Sequence, residues 1–376
     1  MAGLYVHIPF CRTRCIYCDF HSGTDMSIQR QYIDALCSEM DMRISELKGK
    51  PIHTLYIGGG TPSQLSIDAL RQLFDHLSSY IDLKKCHEIT IECNPDDLSE
   101  QYIADLRTLP INRISMGIQS FDDNDLRFLR RRHSAQGAID AIARCQSAGY
   151  DNISIDLIYG LPGQTLDAWQ QNIDKALSLG IQHISAYALI YEEGTALMSL
   201  LEQGKVCECD EELSLAMYST LIERLESAGY QQYEISNFAL PHREALHNSS
   251  YWNDTPYLGL GAAAHSYDGA TRRYNPTDTR AYIDAIEQHR CCYEEEQLTE
   301  ADRYNDMLLT RLRTRQGIDE TQMAKQFAPS LIDYLYRMAT PHLSCGNMEH
   351  HNGYLRITRQ GLFISDSIIS DLFVVE

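Results

Sequence analysis

The chain lacks any apolar run approaching the ~20 residues needed to span a bilayer. Its start, Met1-Ala2-Gly3 leading straight into LYVHI, has neither the basic opening nor the apolar length of a signal peptide. Positive charge is scarce as well: 32 Lys and Arg stand against 52 Asp and Glu, for a net charge of −20. A chain this acidic repels phosphate backbones, so no nucleic-acid partner is expected. The one short basic run, RFLRRRH at 127–133, reads as a solvated helix end. Proline, glycine and serine form no tracts, and no low-complexity segment interrupts the 376 residues. A cytoplasmic location is expected, where thiols stay reduced. The twelve cysteines are then not a disulfide framework.

What is present is a rhythm. Short β-branched runs at 4–8, 53–57, 88–92, 113–118, 153–159 and 183–190 alternate with amphipathic stretches such as 28–44 and 67–81. This alternation predicts parallel strands joined by right-handed crossovers. The strands read as apolar on both faces, as in a sheet covered by helices. An open six-unit barrel and a doubly wound sheet both satisfy the pattern. Glu92, Gln119 and Asp156 gather at or near strand ends, which favours a barrel with its chemistry at one mouth.

From about residue 208 the rhythm changes. A helix is predicted over 211–230, ending at Gly229 as a C-cap; 236–268 shows no clear periodicity; another helix covers 280–289. Helices near 299–313, 319–326 and 329–338, then YLRIT and a closing helix, suggest a small winged-helix-like module. The expected fold class is α/β: a partial (β/α)6 TIM-type barrel over 1–235, a connecting segment over 236–295, and the winged-helix-like domain over 296–376.

The stretch HIPFCRTRCIYCDF carries Cys11, Cys15 and Cys18 just after the first strand. Structural zinc commonly takes four ligands, and the fourth would have to be His7, His21 or something distant. A ferredoxin-like run would add a fourth cysteine, but Phe20 stands where one would be sought. Three thiolates can instead hold three irons of a cubane and leave the fourth open. GGGTP at 58–62 follows the second strand; its glycines suit either a tight βα turn or main-chain contact with a ligand. Glu92 and Asp156, set among apolar residues, need a barrel cation or a polar ligand. Of the other nine cysteines, Cys37, Cys86, Cys93, Cys145 and Cys345 read as small hydrophobes, Cys207 and Cys209 as loop residues, and Cys291 and Cys292 as neighbours after a helix, none with a role.

The C-x3-C-x2-C spacing with GGGTP one βα unit later resembles the radical S-adenosylmethionine (SAM) superfamily. YVHIPFC, IECNPDD, GIQSF and DLIYGLPGQT narrow the resemblance to the subgroup of oxygen-independent coproporphyrinogen III oxidases and HemW haem chaperones. The resemblance implies a [4Fe–4S] cluster on Cys11, Cys15 and Cys18, with SAM on the fourth iron. It implies SAM contacts from Tyr5, Tyr17, Gly59, Gly60, Thr61, Glu92, Gln119, Arg131, Asp156 and the backbone at Ile190. In that chemistry the reduced cluster gives one electron to the sulfonium, releasing methionine and a 5′-deoxyadenosyl radical.

Two features separate the branches of the subgroup. The oxidases carry a further cysteine where this chain has Phe20, and a longer arm before the first motif; beginning four residues before Tyr5, this chain is expected to lack that arm. HNSSYW at 247–252 resembles the HNxxYW element of the haem chaperones. His247 is then a candidate haem ligand, with Tyr251 and Trp252 packing on the macrocycle. The same residues also suit a surface turn anchored by Trp252. The resemblance thus implies a haem chaperone that delivers haem to haem-requiring, respiratory proteins, some of them membrane-bound; a homodimer is compatible with it. The oxidase, which would convert two propionates of coproporphyrinogen III to vinyl groups, is the alternative.

Overall fold

Strand and helix alternate six times in the computed structural model, which describes residues 1–375. The strands are β1 (Ala2–Ile8), β2 (Ile52–Gly59), β3 (Glu88–Cys93), β4 (Arg113–Gln119), β5 (Ile153–Tyr159) and β6 (His183–Ala188). They pair in parallel, each with the next in sequence. The main connecting helices are α1 (Gln29–Arg43), α2 (Ile67–Leu77), α3 (Glu100–Leu106), α4 (Asp123–Phe128), α5 (Ala135–Ser147) and α6 (Leu166–Ser178). Ser66, Ser99, Ser134 and Thr165 cap α2, α3, α5 and α6 by accepting the N–H three residues on. The predicted 67–81 helix stops at Leu77, where the Ser78 hydroxyl donates back to the Phe74 carbonyl.

The strands are not apolar on both faces. Ile89, Ile91, Ile114, Met116, Ile155 and Ile184 point outward into one core with Leu70, Phe74, Ile103, Ile142 and Trp169 of the helices. The alternate residues face a cavity: Glu92 on β3, the series Arg113, Ser115, Gly117 and Gln119 on β4, Asp156 on β5, and His183 and Ser185 on β6. The inner face is polar because the sheet curls around a solvent-reached lumen rather than a packed core.

The lumen is not closed by a full barrel. After α7 (Ala196–Glu202) and α8 (Glu211–Ser227), the hairpin of β7 (Gln231–Glu234) and β8 (Asn237–Ala239) adds antiparallel to β6. Following α9 (Leu246–Tyr251), β9 (Tyr257–Leu260) returns to pair in parallel with β1. Then β10 (His265–Tyr267), β11 (Thr271–Tyr274), α10 (Thr279–Glu287) and β12 (Glu294–Gln297) extend that edge to a twelve-stranded sheet. The segment without clear periodicity thus carries strands, each of three or four residues, too short to print a period of two.

The remainder is a smaller module with its own core around Tyr304, Leu308, Leu335 and Leu355. It holds α11 (Glu300–Arg311), β13 (Ile318–Asp319), α12 (Glu320–Gln326), α13 (Pro329–Ser344), β14 (Met348–His351), β15 (Tyr354–Ile357) and α14 (Ser365–Leu372). Its sheet is three-stranded and antiparallel, in the order β13-β15-β14. No helix among the described residues is long and apolar enough to cross a membrane.

Candidate functional site

The loop after β1 folds over the C-terminal ends of the parallel strands. Its Cys11, Cys15 and Cys18 are free thiols that line a single cavity of about 770 Å³. That volume is ordinary for a ligand pocket, which spans roughly 300–1,000 Å³. The loop is pinned from several sides. Cys11 N–H donates to Gly23 O at 2.9 Å, and Gly23 N–H to Pro9 O at 2.8 Å. Cys11 Sγ and Thr61 Oγ1 share a hydrogen bond of 3.3 Å. Arg131 Nη1 donates to Cys15 Sγ at 3.2 Å. Burial pushes the Cys18 thiol up to about 11. Among the described residues, no three His, Cys, Asp or Glu side chains are spaced to grip one metal ion. Three free thiols lining one cavity are the donor set that would hold three irons of an iron–sulfur cubane. Phe20 is 65% exposed at the rim of the same cavity.

The glycine turn at the end of β2 lies directly against this loop. Gly59 has φ of +112°, and a Cβ there would sit 2.6 Å from the His7 ring. A Cβ on Gly60 would lie 2.9 Å from the Ile8 and Phe10 backbone. Only glycine permits the two turns to approach so closely. Gly60 N–H donates to Ile8 O at 2.9 Å, and Thr61 N–H to Phe10 O at 2.8 Å. His7 completes the brace. Its Nε2 is 3.0 Å from the His21 carbonyl, which can only accept, so Nε2 carries the proton and Nδ1 accepts from Tyr5 Oη at 2.8 Å. Burial lowers the His7 pKa to about 4, which keeps the ring neutral.

The remaining expected contacts converge on the same lumen. Glu92 accepts from Tyr56 Oη at 2.6 Å and from Gly59 N–H at 3.0 Å. Burial, reinforced by nearby Asp156, still raises its pKa to about 7. Burial likewise raises Asp156 to about 6, while Ser185, Arg113 and Arg131 draw it partly back. Gln119 sits in the left-handed region, φ +73°, beyond a bulge in β4. Such a conformation in a non-glycine costs on the order of 1 kcal/mol and clusters at functional sites. Tyr17 packs on Leu129, Ile158 and Leu161 beneath the cysteine loop. Ile190 is 63% exposed at the mouth, where its side chain offers little and its backbone lines the opening.

The basic run 127–133 is a solvated helix end only at its start: Arg127 lies exposed in the last turn of α4, and the run turns inward from Arg131. Arg131 Nη2 donates to Asn94 Oδ1 and Gly117 O inside the lumen. Arg132 pairs with Asp96 and Asp97 at 3.1 Å each. His133 is buried, with Nε2 donating to Ile118 O at 3.1 Å. Its second half turns inward because Asn94, Asp96, Asp97 and the Gly117 and Ile118 carbonyls offer acceptors to its donors.

HNSSYW is not a surface turn. His247 is 1% exposed and lies in the wall of the same cavity. Glu88 holds it there by accepting the N–H groups of Leu246 at 2.7 Å and His247 at 3.0 Å. Its Nδ1 shares a hydrogen bond of 2.9 Å with Thr54 Oγ1, and its Nε2 one of 2.9 Å with Tyr251 Oη. Burial lowers its pKa to about 3. Tyr56 stacks on the ring at 5.2 Å and 23°. Trp252 Nε1 has no partner and faces away, into a shallow groove with Arg315 and Tyr354.

Sequence reasoning missed Tyr56, Asn94, Arg113 and His183. The signal was the alternation itself: R-S-G-Q at 113, 115, 117 and 119, and T-Y-G at 54, 56 and 58, each mark one strand face as polar.

The Radical SAM superfamily profile matches residues 5–176, and that of the HemN C-terminal domain matches 298–364. The "Heme chaperone HemW" of Bacillus subtilis (strain 168) is 34% identical over 98% of both chains. That of Mycobacterium tuberculosis is 31% identical over 98% of this chain and 94% of the other. This chain belongs to the HemW family of radical SAM proteins. The solved structure of coproporphyrinogen III oxidase HemN from Escherichia coli superposes with a TM-score of 0.85 at 23% identity, covering 99% of this chain and 89% of that one. That likeness establishes the fold. HemW-family membership implies a [4Fe–4S] cluster and SAM, and the three free thiols, the glycine turn and the polar lumen fit both groups.

Proposed function

We propose that this chain is a cytoplasmic haem chaperone: it holds a [4Fe–4S] cluster on Cys11, Cys15 and Cys18, binds SAM beside it, takes haem into the lumen, and passes haem to haem-requiring apoproteins. The observation that carries this reading is full-length similarity to proteins named heme chaperone HemW. Phe20 in place of a fourth cysteine and a buried HNSSYW histidine lining the cluster cavity support it.

Division of labour follows from position. Gly59, Gly60 and Thr61 would offer backbone contacts to the amino group of SAM, and Glu92 would offer it an anion. Tyr5 and Tyr17 pack beside the loop, and Gln119, Arg131, Asp156 and the Ile190 backbone supply the remaining polar contacts. When bound, the cluster would supply an electron to the sulfonium. His247 is the haem ligand in this reading, and one of its two hydrogen bonds must open for a ring nitrogen to reach iron. A neutral imidazole, as its lowered pKa dictates, is the form that ligates.

The test uses anaerobically prepared protein. Haem should give a Soret band that weakens on His247→Ala. Incubation with coproporphyrinogen III, SAM and a reductant should leave the substrate unchanged. Formation of protoporphyrinogen would replace the chaperone reading by the oxidase.

A further inference from the structure

Of the arginines that line the cavity, Arg12, Arg14 and Arg130 are exposed at its mouth and Arg132 pairs with Asp96 and Asp97, which leaves Arg131 and Arg113. Arg131 spends its donors on Cys15, Asn94 and Gly117. Arg113 lines the same cavity at 2% exposure, with no ion pair or hydrogen bond from its side chain among the described residues. Thr90, its neighbour across the β3–β4 register, has an equally unpartnered Oγ1.

This is not how the chain buries arginine elsewhere. Arg43, at 1% exposure, donates to Glu39 at 2.6 Å, Glu46 at 2.8 Å, Ser266 at 3.1 Å, and Gly259 O and Asn275 at 3.2 Å. A buried cation without such partners is costly, so its retention calls for a compensating anion. The acids of the lumen act on it through space without pairing: Arg113 draws the Glu92 and Asp156 pKa values downward, yet neither forms an ion pair with it, and Glu92 is held by Tyr56 and Gly59. The other groups that feel Arg113 include neutral ones: His183, bonded to Ser154 and Tyr233, and His247, bonded to Thr54 and Tyr251.

Position selects among anions. Arg113 opens β4 and Gln119 closes it, a climb of about 20 Å at ~3.3 Å per residue. The cysteine loop and glycine turn sit at the Gln119 end. Arg113 therefore lies toward the lumen floor, on the His247 side, away from where the amino-acid end of SAM would meet the cluster. A guanidinium fork there matches a carboxylate.

We propose that Arg113 anchors a carboxylate subsite at the floor of the lumen, which takes a propionate of haem. The ligand named rests on the haem-chaperone reading. The subsite orients the macrocycle relative to His247 and exchanges an unpaired cation for an ion pair on loading.

The test titrates haem and haem dimethyl ester, whose propionates carry no charge, into wild-type protein, Arg113→Met and Arg113→Lys, following the Soret band. Haem should bind Arg113→Met at least ~tenfold more weakly than wild type, the scale of a lost charge-assisted hydrogen bond. Arg113→Lys should recover part of the loss. The ester should bind all three alike, and about as weakly as haem binds Arg113→Met. SAM binding, followed by equilibrium dialysis, should be unchanged. Ligand-free Arg113→Met should melt no lower than wild type, because no native partner is lost. Equal haem affinity in wild type and Arg113→Met, or ester bound as tightly as haem by wild type, overturns the subsite alone. A loss confined to SAM binding overturns it in favour of the SAM carboxylate, and a lowered melting point in favour of a structural counter-ion. Absence of any haem uptake by wild type overturns the chaperone reading and the subsite together. Should Arg113→Met fail to fold, the haem-against-ester comparison on wild type decides.

Discussion

Tyr56 joins two sites that are far apart in sequence: its ring stacks on His247 at 5.2 Å, and its hydroxyl donates to Glu92 at 2.6 Å. The proposed haem ligand and the proposed SAM contact therefore share one side chain. A movement of His247 toward iron would change what Tyr56 rests on, and Tyr56 is the side chain that also bonds Glu92.

The first prediction concerns pH. Burial raises Glu92 to about 7, so the ligand-free site is largely protonated below that value and ionised above it. A cationic ligand prefers the ionised form, so SAM affinity should rise as pH rises through about 7. The Tyr56 hydroxyl favours the carboxylate; Tyr56→Phe removes it and moves the midpoint upward by about one pH unit, the scale of a hydrogen bond to a charged group. Calorimetric SAM titrations between pH 6 and 8.5 on both proteins check this. An unmoved midpoint would remove Glu92 from the SAM site.

The second concerns the glycine turn. Gly59→Ala meets two penalties at once, φ of +112° and a Cβ 2.6 Å from the His7 ring. The expected cost is about 2–4 kcal/mol of stability. His7 must yield, and with it the brace to the His21 carbonyl that sets the cysteine loop. Anaerobic iron and sulfide analysis should then find much less cluster than in wild type, alongside a lower melting temperature. Full cluster content in a destabilised variant would separate the turn from cluster assembly.

The alternation of strand and helix was legible because six βα units repeat it, and the cysteine loop because its spacing leaves few alternatives. The polarity of the lumen was misread for a physical reason. Isoleucines that pack outward and polar residues that face the cavity interleave at every second position, so a run such as RISMGIQ looks apolar when averaged and divided when read by face. His247 was harder still. Nothing local marks it as buried: α9 is six residues long, and its anchor, Glu88, lies 159 positions away on another strand. Burial that depends on one long-range carboxylate leaves no periodic trace.

Acid stability gives a third prediction. His7, His133 and His247 are buried and neutral, with pKa values lowered by burial to about 4, 4 and 3. An unfolded imidazole takes its proton near pH 6.5, so the unfolded state binds more protons as pH falls below that value. Stability from these groups is full above about 6.5 and is lost as pH drops toward 4, at up to about 1.4 kcal/mol per pH unit for each histidine. Denaturant unfolding of the cluster-free protein from pH 7.5 to 4.5 should trace that loss, and His247→Gln should flatten it by roughly one proton. A slope identical to wild type would mean that His247 is already protonated when folded.

The last prediction follows from which bond of His247 can open. Nδ1 is tied to Thr54, on the central strand β2, whereas Nε2 is tied to Tyr251, on the short helix α9. The strand is fixed by ladders on both sides, and the helix has no side-chain cap. Nε2 is therefore the nitrogen that iron would reach, in competition with the Tyr251 hydroxyl. Tyr251→Phe keeps the edge-on ring contacts with His247 and Tyr257 while deleting the competing bond. Haem should bind this variant about 2–10-fold more tightly, the scale of one neutral hydrogen bond. Thr54→Val should bind it more weakly, because the ring loses the partner that holds its other edge. Soret titrations of the two variants beside wild type read both effects. Weaker haem binding by Tyr251→Phe would make the tyrosine a haem contact in its own right, and no change in either variant would take His247 out of haem ligation.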